Sequence, residues 1–67
     1  MILLVTKREQ EVLELISNEL NSSQIAQQLF ISVNTVVTHR KKLLKKLGAQ
    51  NSAGLVRKGF ECGLLTF

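Results

Sequence analysis

Hydrophobic residues recur with the period of an α-helix in the stretch from Ser32 to Leu47, and the residues between them are polar or basic. On a helical wheel of roughly 100° per residue, the apolar residues gather on one side. These apolar residues are Val36, Leu43, Leu44 and Leu47. Ser32 or Asn34 can cap the start of this helix, and Gly48 can end it. The pattern predicts a helix over residues 33–47 with one buried face.

Three further helices are predicted from capping residues followed by apolar residues at helical spacing. Thr6 and Glu9 form a capping box for a helix over about 7–18, and Asn21 with Gln24 does so for about 22–29. Asn51 is a good cap for a fourth helix over about 52–62. The sequence has no alternating strand pattern, so the predicted class is all-α. Residues 6–67 are expected to form one domain, with 1–5 as a lead-in or linker remnant.

The predicted core contains one or more apolar residues from each helix. Its members are Leu13, Ile16, Ile25, Leu29, Val36, Leu43, Leu47 and Val56. With 67 residues, of which 45% are hydrophobic, the chain can bury one small core but not two.

Charge is divided unevenly along the chain, whose net charge is +4. Residues 1–31 hold two basic and four acidic residues, whereas residues 32–67 hold seven basic and one acidic residue. A basic half beside an acidic half favours a surface that binds a polyanion.

The outer face of the helix over 33–47 has the composition that suits the DNA major groove. Its residues are Asn34, Thr38, Lys41 and Lys45, with Lys42 at one flank and Val37 at the other. Hydrogen-bond donors and methyl groups of this kind meet the edges of base pairs there. The other interpretation of this helix alone is a basic face that is simply solvated.

Other chemistry is poorly supported by the residues. The chain has no nucleophile with a base and no phosphate-binding glycine loop, so no enzyme and no cofactor are predicted. His39 has no second histidine or nearby cysteine, which favours a satisfied, partly buried imidazole over a metal ligand. Cys62 is alone, which fits a reducing cytoplasm; it is expected to be a small apolar filler, with redox sensing as the alternative. No secretory signal or membrane-spanning stretch is predicted.

Several segments of the chain, in order, closely resemble the LuxR-type helix-turn-helix domain of LuxR, NarL and FixJ-like regulators. These segments are Thr6–Leu13, Gln24–Ser32, Thr35–His39, Lys46–Gly48 and Gly63–Leu65. The resemblance implies a four-helix domain of a bacterial transcription regulator that binds double-stranded DNA, usually C-terminal to a sensing or phospho-acceptor domain. It also implies that the helix over 33–47 is the recognition helix.

The resemblance further implies which residues contact DNA and a second copy. The base-reading positions fall on Val37, Thr38 and Lys41. Contacts to the DNA backbone are expected at Ser22, Ser23, Asn34, Thr35, Lys42 and Lys45. A weak homodimer is expected through the fourth helix, with Gly54, Arg57, Lys58 and Glu61 as its candidate face.

Four positions depart from the family pattern. Val37 stands where lysine is frequent, so it can touch a thymine methyl group but cannot bond guanine. Glu19 replaces a common glycine, so the turn after the first helix is expected to end differently. Ser23 replaces a frequent lysine and Ser52 a frequent arginine. The missing cations support an alternative function, a protein-interaction module of the same fold that docks on another regulator or on RNA polymerase.

Overall fold

The computed structural model describes residues 5–66, which form four α-helices and no strand within that range. The helices are α1 (Lys7–Ser17), α2 (Ser22–Leu29), α3 (Val33–Leu47) and α4 (Ser52–Glu61). The all-α, four-helix prediction is confirmed. α1 and α4 end one residue earlier than predicted. Most of the expected lead-in, residues 1–4, and Phe67 lie outside the described residues.

Each helix begins at a residue whose side chain accepts a hydrogen bond from the backbone of the first turn, as N-caps do. These N-cap residues are Thr6, Asn21, Ser32 and Asn51. For α3 the cap is Ser32, whose Oγ lies 3.1 Å from the Thr35 amide nitrogen. Because each cap acts within one helical turn, the start of each of the four helices is set by residues close in sequence.

The turn after α1 keeps the conformation that a glycine would adopt, contrary to the expectation for Glu19. Glu19 has a φ of 68°, a left-handed conformation that costs a residue with a Cβ atom about 1–2 kcal/mol. The amides of Glu19 and Leu20 donate to the carbonyls of Ile16 and Leu15, at 2.9 and 3.2 Å. This double hydrogen bond is a Schellman motif, and it holds Glu19 in the strained conformation.

α3 packs against each of the other three helices, so the core surrounds its buried face. The buried apolar residues are Val12, Leu13, Ile25, Ala26, Val36, Leu43, Leu47, Leu55 and Leu65. Three predicted core residues, Ile16, Leu29 and Val56, are only partly buried at its edge. On α4, Leu55 is buried, whereas Val56 is only half-buried.

The chain after α4 folds back and closes the core. Leu65 is buried against Gly59, where a Cβ atom would lie 2.7 Å from Leu65 Cδ1 and 3.2 Å from Leu13 Cδ2. Gly59 therefore permits close approach within the domain. The Gln10 side-chain amide donates to the carbonyl of Leu64 and fastens this segment to α1.

Candidate nucleic-acid interface

The outward face of α3 is polar, basic and free of acidic residues. Of the three predicted base-reading residues, Thr38 and Lys41 are exposed and Val37 is half-buried. The helical spacing places Thr38 and Lys41 on the side of α3 opposite its buried stripe and Val37 at the flank of that side. The Thr38 hydroxyl donates to the carbonyl oxygen of Asn34 at 3.0 Å. Thr38 can therefore offer a base its oxygen lone pair and its methyl group, but not its hydroxyl proton.

The residues predicted to contact the DNA backbone lie at two helix starts and along the exposed side of α3. Ser23, Asn34 and Thr35 are exposed, and Ser22 is half-buried. The first amides of a helix have no partner within the helix and carry its positive dipole end, which attracts phosphate. The other two predicted contacts, Lys42 and Lys45, are exposed farther along α3.

No aspartate, glutamate, lysine or arginine occurs between residues 20 and 39, so α2 and the first half of α3 carry none of these charges. All five basic residues of α3 lie between residues 40 and 46. The positive potential at the start of α3 therefore comes from helix amides, and the potential at its end comes from side chains.

Lys46 turns away from the outward face and pairs with α1, which the sequence analysis did not anticipate. Its Nζ lies 2.7 Å from Oε1 of Glu9, whose side chain is only 2% exposed. Glu9 Oε1 also accepts from the Thr6 amide at 3.0 Å, as the predicted capping box requires. On the wheel, Lys46 lies roughly 100° from Lys45 and outside the polar face, which is the signal that could have separated the two.

The pKa of the Glu9 carboxyl is set by opposing causes. Burial raises it, whereas the hydrogen bonds from Lys46 and the Thr6 amide and the positive charges of Lys46 and His39 lower it. The lowering causes prevail, so the pKa of Glu9 lies below its ordinary value. Glu9 is thus held as a buried carboxylate that joins the first turn of α1 to the last turn of α3.

His39 is half-buried, as predicted, but its imidazole is not fully satisfied. Its Nδ1 atom is buried and has no hydrogen-bond partner within residues 5–66. No group of three metal-ligating side chains is found among these residues either. The described residues therefore form no three-ligand metal site that includes His39.

Arg40 occupies the space near Ser52, where a cation was expected to be missing. Its Nε and Nη2 donate to Ser52 Oγ at 3.1 and 2.6 Å. A guanidinium group is thus present beside the start of α4, supplied by α3 rather than by position 52. Like Lys46, Arg40 is engaged inside the domain.

The candidate dimer face on α4 is largely polar. Arg57, Lys58 and Glu61 are exposed and Gly54 is half-buried. Arg57 Nε and Glu61 Oε2 form an ion pair at 3.1 Å. Nearby Cys62 is exposed, so the expectation that it fills apolar space is wrong. It lies past the last turn of α4, where its side chain has turned away from the core.

Within the described part of the chain, no helix has the length and apolar character needed to span a membrane.

Residues 3–58 match the family model described as bacterial regulatory proteins, luxR family. The transcriptional regulatory protein MctR of Rhizobium johnstonii is 40% identical over 62 residues, which cover 92% of this chain and 29% of that protein. The oxygen regulatory protein NreC of Staphylococcus aureus is 38% identical over 64 residues, covering 96% of this chain and 30% of that protein. The chain thus spans under a third of these relatives.

A solved structure has the same fold. The response regulator ChrA of a heme-sensing two-component system superposes with a TM-score of 0.89 and 33% identity, over 91% of this chain and 30% of that one. The matching family consists of DNA-binding transcription regulators and not of enzymes, in agreement with the prediction. The chain belongs to the luxR family of bacterial regulatory proteins.

Proposed function

We propose that α3 enters the major groove of operator DNA and that this domain is the effector part of a cytoplasmic, response-regulator-like protein. The observation that carries the proposal is the outward face of α3, which is exposed, basic at its end and free of acidic residues. The family and the relatives' printed names, which are those of regulators, support the same role.

In this proposal, base reading is divided between three residues on one face. Lys41 donates to acceptor atoms of guanine, Thr38 accepts a hydrogen bond or touches a methyl group, and Val37 makes apolar contact. Ser22, Ser23, Asn34 and Thr35 hold phosphates near the helix starts, and Lys42 and Lys45 hold phosphates beside α3.

We further propose that two copies associate weakly through the α4 face, formed by Gly54, Arg57, Lys58 and Glu61. A face this polar is a poor interface in isolation, because stable interface cores are depleted of charge. Simultaneous binding to two half-sites would supply the missing stability. RNA polymerase is a candidate partner of the DNA-bound protein.

The alternative of a protein-docking module rested on missing cations at Ser23, Val37 and Ser52. Arg40 places a guanidinium group beside Ser52, which weakens that argument at one of the three positions. DNA binding is therefore the function that the geometry favours.

Selection of bound sequences from a random duplex library at about physiological ionic strength tests the proposal, since salt suppresses purely electrostatic binding. We expect an enriched site, and two half-sites about one helical turn apart if the dimer forms. On that site, Lys41→Ala should cost about 1–3 kcal/mol and relax specificity at one or two base pairs. Lys58→Ala on α4 is the matched control and should retain the base preference. Equal binding by Lys41→Ala and the parent would refute the proposed register of α3.

A further inference from the structure

Two large apolar side chains remain exposed in the described part of the chain, and both lie where α3 begins. Phe30, in the turn before α3, is 94% exposed, and Val33, the first residue of α3, is 43% exposed. A single exposed apolar side chain is ordinary. Two exposed apolar side chains at the start of the helix that is proposed to enter DNA indicate a specific contact there.

The conformation of Phe30 makes the same point independently. Its φ of 57° and ψ of 43° lie in the left-handed region, which a residue with a Cβ atom adopts at a cost. Glycine would adopt this conformation without strain. Phe30 is therefore both strained and solvated, and its side chain gains almost no burial within the domain to offset either cost.

Val33 extends this apolar surface along α3 to Val37. The two valines are four residues apart, which places them within about 40° on the wheel and roughly 6 Å apart along the helix axis. Val37 is half-buried, and the exposed part of its side chain adjoins the face that holds Lys41 and Thr38. We call Phe30, Val33 and Val37 the apolar edge. Phe30 precedes α3 in the turn, and the two valines lie beside the proposed base-reading surface.

DNA offers one apolar group in the major groove, the 5-methyl group of thymine. We infer that the apolar edge of Phe30, Val33 and Val37 contacts thymine methyl groups, so that the preferred operator carries thymines on the side of each half-site that faces this edge. The inference rests on the proposed function. It adds Phe30 and Val33 to the specificity-determining residues and names the class of operator.

Replacement of thymine by deoxyuridine tests the inference directly, because it removes the methyl group and leaves every hydrogen-bonding atom of the base in place. Each thymine of the selected site is replaced in turn, and affinity is measured by fluorescence anisotropy. Loss of one methyl contact should weaken binding by the parent about three- to fourfold. We expect this loss at two or more positions.

Substitution of Val33 and Val37 shows which thymine methyl group each valine contacts. Val33→Ala and Val37→Ala should each bind the thymine site more weakly and become insensitive to deoxyuridine at one position while remaining sensitive at the others. Asn34→Ala is the matched control on the same turn of α3 and should keep the full deoxyuridine effect. Thermal melts of all variants verify that they fold.

Phe30 is tested by a pair of substitutions at the two left-handed residues. Phe30→Gly and Glu19→Gly each relieve the same backbone strain at the end of a helix. We expect Glu19→Gly to bind the selected site like the parent, whereas Phe30→Gly binds it several-fold more weakly. The weakening should be the same at low and high salt, because the lost contact is apolar.

Equal affinity of the parent for the thymine and deoxyuridine sites would overturn the inference while leaving sequence-specific binding intact. Sensitivity to deoxyuridine that persists unchanged in both valine variants would also overturn it, since other residues would then touch the methyl groups. Failure of the parent to enrich any sequence would instead refute the proposed function, and the inference with it.

Discussion

Glu9 is buried and its ion-pair partner Lys46 is partly exposed, so removing one partner should destabilise the domain more than removing the other. Lys46→Met removes the cation and leaves a carboxylate that is 2% exposed, with the Thr6 amide still bonded to it. Glu9→Gln removes the buried negative charge and leaves the ammonium group of Lys46, whose side chain is 31% exposed. Water can therefore reach the Lys46 ammonium group far better than the Glu9 carboxylate.

The expected magnitudes follow from that difference in exposure. Removing one partner of a buried ion pair costs about 3–5 kcal/mol, and the remaining Thr6 hydrogen bond places Lys46→Met at about 3 kcal/mol. Glu9→Gln loses one charge-assisted hydrogen bond, which is worth about 1.5–3 kcal/mol. Its loss of stability should lie at the lower end of that range. Glu11→Gln is the matched control, because Glu11 pairs with Arg8 at the surface, where such pairs contribute about 0–1 kcal/mol.

The pH dependence separates the two variants further. The pKa of Glu9 is lowered in the folded protein, so the pair's contribution is fully present above the ordinary carboxyl pKa of 4.5 and is lost as the pH falls through the lowered value. The stability difference between the parent and Glu9→Gln should therefore be constant from neutral pH to about 5 and shrink below it. In Lys46→Met, loss of the Lys46 hydrogen bond and charge raises the pKa of Glu9 relative to the parent, and acidification relieves the buried charge by protonating it.

Urea unfolding followed by circular dichroism at 222 nm, over a series of pH values, measures these differences. A Glu9→Gln variant at neutral pH that is as unstable as Lys46→Met would refute the reasoning from burial. A Lys46→Met deficit that did not shrink in acid would refute the assignment of the cost to the orphaned carboxylate.

Two other predictions concern positions where backbone strain or packing decides whether a substitution stabilises or destabilises the domain. Glu19→Gly should stabilise the domain by about 1 kcal/mol in thermal or urea unfolding, because it relieves the left-handed strain; a loss of stability would show that the side chain contributes more than the strain costs. Gly59→Ala should destabilise it by about 1–3 kcal/mol through overpacking against Leu65 and Leu13, despite the helix propensity of alanine. Gly54→Ala, whose Cβ would lie 3.4 Å from the nearest atom, is its control and should be neutral or stabilising.

The sequence predicts the helices well because their limits depend on residues close to one another. Thr6 with Glu9 and Asn21 with Gln24 form their capping boxes within a single turn, and Gly48 ends α3 in the left-handed conformation. The outward face of α3 is likewise a matter of spacing within one helix. These features need no knowledge of the tertiary fold.

The features that sequence analysis missed depend on contacts between distant segments. Glu9 and Lys46 are 37 residues apart, so rules for neighbouring side chains on one helix cannot pair them. Val56 was expected in the core but lies at its edge, because Leu55 and Gly59 take the inner face of α4, onto which Leu65 returns. The turn at Glu19 was predicted wrongly from the rarity of left-handed glutamate, because the Schellman hydrogen bonds hold Glu19 in a conformation where glycine is usual.

The engagement of Arg40 and Lys46 inside the domain has a consequence for counterion release. Of the five basic residues of α3, these two are hydrogen-bonded to Ser52 and Glu9. Because Lys41 is assigned to a base, Lys42 and Lys45 remain to displace cations from phosphates. Two such contacts give a slope of log affinity against log salt of about −1.8 for one domain and about −3.6 for two. A pair of domains on one operator would lose roughly a hundredfold in affinity between 50 and 200 mM salt. The buried carboxylate of Glu9, on the far side of α3 from its polar face, thereby limits how strongly ionic strength controls this protein on DNA.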